Sequence, residues 1–395
     1  MKHQIYVVAP YISEITLDYT NRFLYLCKLC SSKNVNVTLI TSKFCHTSKS
    51  THNLPSSLPF SVAFISSGSY KNTNFSRFAH NLKFGYGLYK HFSKIHTNNS
   101  HVVVAYPFVS SLIALLFFKS SIQKIIIDVQ DLWPESFKLL FPSTNPKIID
   151  LLCSPFYLLN KLLFKKFDHF CFVSNSFKDH FIEKYINKGD THTCYIGNSR
   201  LNIEHKMPSY PTKTCNLVYV GSLEKSYDLI PFFDSILSLN SSNNIIYNLE
   251  IYGGGSNLSY YKNYCENTNN HNVTFHGYVA ISELLPKLST YHIAINPIIL
   301  KSEASIINKH ADYAYSGLPV ISTQTNKEYK NLLEDYGAGI NISFHMNDII
   351  DSINTITYCE ESFINFSKGS KNMYFLFDRN KTYLEYYEFI FKKTT

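Results

Sequence analysis

Residues 303–321 read EASIINKHADYAYSGLPVI. An acidic residue, Glu303, stands on a loop, and a short helix opens near Asn308 and carries Lys309 and Asp312. Gly317 and Pro319 stop that helix, and a buried strand, LPVIST at 318–323, follows. A helix N-terminus offers free backbone N–H groups and the positive end of the peptide dipoles, and Lys309 adds a mobile charge in the first turn, so the segment suits phosphate. Asn308 is of a capping type that accepts from first-turn N–H groups. Lys309 and Asp312 are three apart and share a face, which lets one hold phosphate while the carboxylate accepts from ribose or sugar hydroxyls. Such a segment fits a phosphorylated sugar donor.

Outward from this stretch, short β-branched runs alternate with helical spacing. In the first half the strand candidates are 5–10, 35–41, 101–106, 124–130 and 169–174; in the second they are 216–222, 247–254, 272–278, 292–297 and 318–323. Apolar runs of this kind indicate strands buried on both faces, hence parallel sheets covered by helices. Between the halves, 196–214 is polar and Pro-containing, a linker composition. The expected architecture is α/β. Two Rossmann-like domains at 1–197 and 215–374 are joined by a linker at 198–214, face each other across a cleft, and take ligands at the carboxyl ends of their strands. From Phe375 to the end runs an aromatic amphipathic helix with a basic end, which suits capping of its own domain.

At 395 residues the chain is too long for one core, and 45% hydrophobic residues with 30 Tyr and 30 Phe can fill two. The net charge of +8 reads as a moderate excess spread along the chain, which fits anionic lipid or a diphosphate better than a nucleic-acid stripe. Nine cysteines at irregular spacing, with Cys27 and Cys30 inside an apolar helical stretch, read as core residues rather than a zinc or redox site. The start, MKHQIYVVAP, runs straight into a strand and lacks the pattern of a signal peptide, so a cytoplasmic location is expected. No apolar run reaches the roughly twenty residues of a spanning helix, and FVSSLIALLFF at 108–118 reads as a buried helix. The segment 151–170 interleaves large apolar residues with Lys161, Lys165 and Lys166, and reads either as a buried helix with a basic edge or as one lying on a membrane surface.

Three further motifs stand at strand ends. Asp131-Leu132-Trp133-Pro134-Glu135-Ser136 holds the only tryptophan; it forms either a rigid loop that presents the Asp131 carboxylate and stacks a sugar on Trp133, or a helix start with Pro134 in the first position. Val220-Gly221-Ser222-Leu223-Glu224-Lys225 opens the second domain, where Gly221 permits close approach and Lys225 suits a diphosphate, although alone it reads as a surface lysine. Gly253-Gly254-Gly255-Ser256 reads as a tight strand-to-helix turn. No glycine precedes Gly68, so a dinucleotide oxidoreductase is excluded, and the absence of Asp-x-Asp argues against a transferase that binds diphosphate through a divalent metal.

The segment 303–321 resembles the donor-site signature of retaining glycosyltransferases of family four, which have the GT-B fold. Glu303, Lys309, Tyr313, Gly317, Pro319, Val320 and Ile321 stand in register with E-x-x-x-P-S-K-x-x-E-Y-x-x-x-G-x-P-V-I. Asp-Leu-Trp-Pro-Glu-Ser resembles a branch that makes surface polysaccharides such as O-antigen or capsule. The resemblance implies metal-independent, retaining transfer from a nucleotide diphosphate sugar to a saccharide acceptor on a lipid carrier, with no cofactor beyond the donor. It places Lys225 and Lys309 on the diphosphate, Glu303 on the transferred sugar, Asp312 on ribose and Asp131 near the acceptor hydroxyl. Gly254 then borders the donor, Tyr278 lies beside the base, and the last helix crosses back onto the first domain. The departures are Ile307-Asn308 for Pro-Ser, Asp312 for a glutamate, Gln130 for a histidine, Ser222 for an arginine, and a first loop, 9–22, without glycine. Two rivals stay open: an epimerase of nucleotide sugars with the same fold, and a nucleotide-sugar-binding subunit left without turnover by the losses at Ser222, Gln130 and Asp312.

Overall fold

The computed structural model describes residues 3–392 apart from 18, 47, 71–74, 141–143, 187, 199–205, 243–244 and 300–305. The chain divides into two compact units, one comprising Met1–Tyr195 with Lys381–Thr395, the other Ile196–Asn380. Part of the expected linker, 199–205, lies outside the described residues.

The first unit contains β1 (Gln4–Val8), β2 (Asn36–Ser42), β3 (Ser61–Ile65), β4 (Ser100–Tyr106), β5 (Lys124–Val129), β6 (His169–Phe172) and β7 (Asp190–Thr193). They form one parallel sheet in the order β3-β2-β1-β4-β5-β6-β7, with Val8 of β1 in register with Ile40 on one side and Val104 on the other. Every position of β4 and β5 is buried, as continuous runs of Val and Ile require when helices cover both faces of a sheet. From Lys381 the last helix, Arg379–Phe391, belongs to this unit, as the resemblance implies. Its Tyr386 hydroxyl donates to Asp128 Oδ2 at 3.0 Å, where Arg22 also donates at 2.8 Å, both in full burial. Lys124 Nζ donates to the carbonyls of Phe389 and Lys392 at 3.1 and 2.9 Å and so serves the free carbonyls at that helix's end.

The second unit contains β8 (Thr214–Val220), β9 (Ile246–Tyr252), β10 (Val273–Gly277), β11 (Ile293–Asn296), β12 (Val320–Ser322) and β13 (Gly339–Asn341), parallel in the order β10-β9-β8-β11-β12-β13. Both sheets start at an inner strand, build to one side, then return past the first strand, so each has a switch point: between β1 and β4, and between β8 and β11.

Three strands escaped the sequence reading: β3, β7 and β13. All are edge strands; β7 is DTHT and β13 is three residues long, so neither has a paired apolar face to write a pattern. The helix read as buried at 108–118 is Val109–Leu116, and only one side of it is covered: Ile113 and the following Phe117 are 41% and 70% exposed.

Candidate functional site

At the switch point of the second sheet, β8 runs out at Val220 into Gly221, and β11 at Asn296 into the segment that leads to the helix Asn308–Tyr315. Tyr313 pins that helix to both strands: its hydroxyl accepts from Val220 N–H at 2.9 Å and donates to the Ile295 carbonyl at 3.2 Å. The helix starts one residue earlier than a cap at Asn308 requires. Ile307 is the N-cap, Asn308 is already helical, and His310 Nδ1 takes the Ile307 N–H at 3.4 Å in place of the expected Asn308 bond.

Lys309 is thereby aimed back at β8. Its Nζ lies 4.0 Å from the ring centre of Tyr219 and 4.1 Å from that of Tyr227, and a side chain on Gly221 would begin 3.0 Å from it. The residue is 5% exposed, and among the described residues nothing hydrogen-bonds its ammonium. Burial holds its pKa well below the ordinary lysine range. Two ring faces attract the cation without neutralising it, so a full positive charge here needs an anion that the described residues do not supply.

The loops after β8, β9 and β10 are laced into one rim. Gly221 N–H donates to Tyr252 O at 2.9 Å, Leu223 N–H to Gly254 O at 2.9 Å, and Gly253 N–H to Gly277 O at 2.7 Å. Glu224 fixes the rim further by accepting from Ser256 N–H at 3.0 Å and Ser256 Oγ at 2.6 Å. Gly253, at φ +132°, has no room for a side chain, since a Cβ would fall 1.9 Å from Gly221 O. Gly254 has open space around it, Lys225 is exposed two residues beyond Leu223, and Tyr278 is 88% exposed just beyond β10. Lys309, Gly221, Gly254, Lys225 and Tyr278 thus belong to the strand-end side of one sheet. Glu303 lies outside the described residues.

Asp312 has a different setting. It is 7% exposed, and its Oδ1 accepts from Asn198 Nδ2 at 2.7 Å. Burial pushes its pKa up to about 6, against the opposing effects of the Asn198 bond and of Arg379. One of its two carboxylate oxygens is thus engaged within the protein.

In the first unit, Asp131 follows β5 and is exposed; partial desolvation first, then the proximity of Glu135, raises its pKa. Trp133 has a carbonyl that accepts from Tyr106 at 2.6 Å and Asn160 at 2.9 Å, and an indole packed edge-on to Phe156 at 5.1 Å, so one side of the ring is committed to packing. Glu135 is 3% exposed and accepts from Lys184 at 2.6 Å, Tyr185 at 2.8 Å and His180 at 2.9 Å. Burial alone would raise its pKa, but the bonds from His180 and Lys184 outweigh it and hold the carboxyl at about 2. The motif therefore joins an exposed acid, Asp131, to a buried anchor, Glu135, that ties the loop to the helix Asn175–Lys184.

Sequence reasoning missed the ring pair around Lys309. Tyr219 reads as one more core residue of a strand, and only the structure brings Tyr227 over the same cation. It also missed a cluster at the strand ends of the first sheet. Tyr11 follows β1 there, packs on Phe108 at 4.8 Å, and lies under Arg77 at 5.0 Å.

Residues 214–356 match a family model described as "Glycosyl transferases group 1". A search of curated protein sequences finds no match. Among solved structures the chain is similar to sucrose-phosphate synthase from Thermosynechococcus elongatus, with a TM-score of 0.70 at 12% identity over 98% of each chain. It is similar to WaaG, a glycosyltransferase involved in lipopolysaccharide biosynthesis, with a TM-score of 0.68 at 12% identity over 98% of this chain and 100% of that one. It is also similar to the lipopolysaccharide outer core galactosyltransferase WaaB, with a TM-score of 0.66 at 14% identity over 99% and 100%. At these identities the likeness establishes the fold, and the fold is GT-B.

Proposed function

We propose that this chain is a glycosyltransferase that moves a sugar from a nucleotide diphosphate donor to a saccharide acceptor. The observation that carries the proposal is Lys309: a buried ammonium without a partner among the described residues, at the switch point of a parallel sheet in the segment that matches the family model. A donor diphosphate at the ends of β8 and β11 would meet this cation and the first turn of its helix. In the reaction the anomeric C–O bond breaks and the diphosphate leaves with its electron pair. The acceptor oxygen bonds to the anomeric carbon, and its proton goes to the leaving group. Lys309 offsets the charge that develops on the diphosphate, and Lys225 adds a second, mobile charge at the rim. Glu303 bears on the transferred sugar and Asp131 on the acceptor hydroxyl.

The finer assignments extend the resemblance: transfer with retention, no metal, and an acceptor on a lipid carrier in the assembly of surface polysaccharide. The likeness to two lipopolysaccharide transferases supports that direction. The test is donor turnover with a panel of UDP-, GDP- and TDP-sugars, with and without lipid-linked acceptor, in EDTA. A transferase consumes one donor faster when acceptor is present and survives EDTA. Release of an epimerised sugar nucleotide without acceptor would make it an epimerase, and binding without turnover a partner subunit. Activity lost in EDTA and restored by manganese or magnesium would contradict the metal-independent mechanism.

A further inference from the structure

The first unit carries an apolar face that its own core does not use. On the helix Phe75–Phe92, Phe78, Leu82, Tyr86 and Tyr89 form one stripe at helical spacing and are 52%, 52%, 61% and 40% exposed. The neighbouring helix Val109–Leu116 approaches closely enough that a side chain on Gly85 would collide with Ser110, and it continues the face with Ile113 and Phe117, whose ring meets Tyr89 at 5.4 Å. The helix Pro146–Phe164 packs beside it and is apolar on two opposite sides. Ile149, Cys153, Leu163 and Phe164 are buried, while Leu151, Leu152, Leu158 and Leu162 are 73%, 70%, 59% and 55% exposed. A helix that covers a soluble core has no use for a second leucine face toward water.

The charge around this face is one-sided. The basic excess is not spread along the chain as composition suggested: from Tyr19 to Ile127 there are twelve Lys and Arg and no Asp or Glu. Lys83 and Lys90 flank the stripe on the first helix, and Lys147, Lys161 and Lys165 lie along one edge of the leucine face on the third. The single acid on these three helices, Asp150, is paired with Lys138 at 2.9 Å. Among the described residues no helix is long and apolar enough to cross a membrane.

We infer that the helices Phe75–Phe92, Val109–Leu116 and Pro146–Phe164 form a docking face for an anionic lipid bilayer. Their leucines and aromatics enter the headgroup boundary, and the flanking lysines meet acidic headgroups. The basic edges select an anionic occupant and disfavour a second copy, which would set like charge against like, and the continuous leucine and aromatic face between them suits the headgroup boundary of a bilayer. The inference stands apart from the donor reading, since it uses none of those residues.

Cosedimentation of the full chain with vesicles tests it. The chain should bind vesicles containing phosphatidylglycerol at least tenfold more strongly than pure phosphatidylcholine, and less as salt rises. The double variant Leu151→Glu/Leu158→Glu, placed at exposed positions, should lose at least tenfold of that binding while melting temperature and nucleotide-sugar binding stay unchanged. Lys161→Gln/Lys165→Gln should lose the preference for the anionic vesicles. Negligible binding to anionic vesicles, or unaltered binding by the leucine variant, would overturn the inference. So would a wild-type dimer in analytical ultracentrifugation that the leucine variant dissolves, because the face would then belong to a second copy.

Discussion

Among the described residues Lys309 has only the faces of Tyr219 and Tyr227 against its buried amino group, and this burial has a thermodynamic signature in the free protein. Its folded pKa lies below its unfolded value. Below the folded pKa both states are charged and the fold bears the whole cost of burial; as pH rises from there toward about 10.4, the unfolded state holds the extra proton and stability climbs. Lys309→Met keeps the volume and removes the charge, so it should melt no lower than the wild type and lose this alkaline rise. Thermal melts of both proteins from pH 6 to 10 read this directly; a marked loss of stability in the variant would mean that the ammonium is paired in the free protein. Asp312 makes the mirror case. Its raised pKa of about 6 means that stability falls as pH rises through roughly 4 to 6, by roughly 3 kcal/mol at most, and is level above. Asp312→Asn should flatten that slope and be at least as stable at pH 8, whereas a variant that melts earlier at pH 8 would show that the ionised carboxylate supports the fold. If the same variant keeps donor affinity, the carboxylate serves Asn198 and not ribose. Lys309 and Asp312 were legible as a pair on one helix face, but spacing could not say that one faces Tyr219 and the other Asn198.

At the scale of elements, the rim of glycine loops shows why two adjacent glycines differ. Gly253→Ala forces a Cβ against Gly221 O at a positive φ, and should cost about 2 to 4 kcal/mol of stability. Gly254→Ala meets open space and should leave the melting temperature within about a degree or two; if the proposed donor borders this glycine, the added methyl should weaken donor binding. Equal melting temperatures for the two variants would contradict the packing described. The Asp-Leu-Trp-Pro-Glu loop offers a second test. Glu135, with its pKa held at about 2, stabilises above its unfolded value near 4.3, and that contribution is lost as pH falls toward 2. Glu135→Gln should destabilise by roughly 2 kcal/mol at pH 7, with the gap to wild type closing below pH 4 in urea melts; a gap that does not change with pH would make the role one of shape alone. Inner strands such as β4 and β5 were legible because burial on both faces writes an unbroken apolar run. Edge strands such as β7 were not, because their pairing rests on backbone bonds and DTHT carries no apolar imprint.

For the whole molecule, the sequence carried the alternation that makes two parallel sheets, and the comparisons establish GT-B. The return of the last helix was an even choice on sequence, since its partner residues Arg22, Asp128 and Tyr386 lie far apart along the chain, and only folding brings them to one buried point. The central claim is that a nucleotide diphosphate sugar binds at the strand ends of the second sheet on Lys309. Titration calorimetry of UDP-, GDP- and TDP-sugars against wild type and Lys309→Met at pH 7 tests it most directly. At least one donor should bind the wild type. The same donor should bind Lys309→Met more weakly by roughly 2 to 4 kcal/mol, about 30-fold or more. A donor that binds both proteins equally, or a panel in which none binds the wild type, would contradict the account.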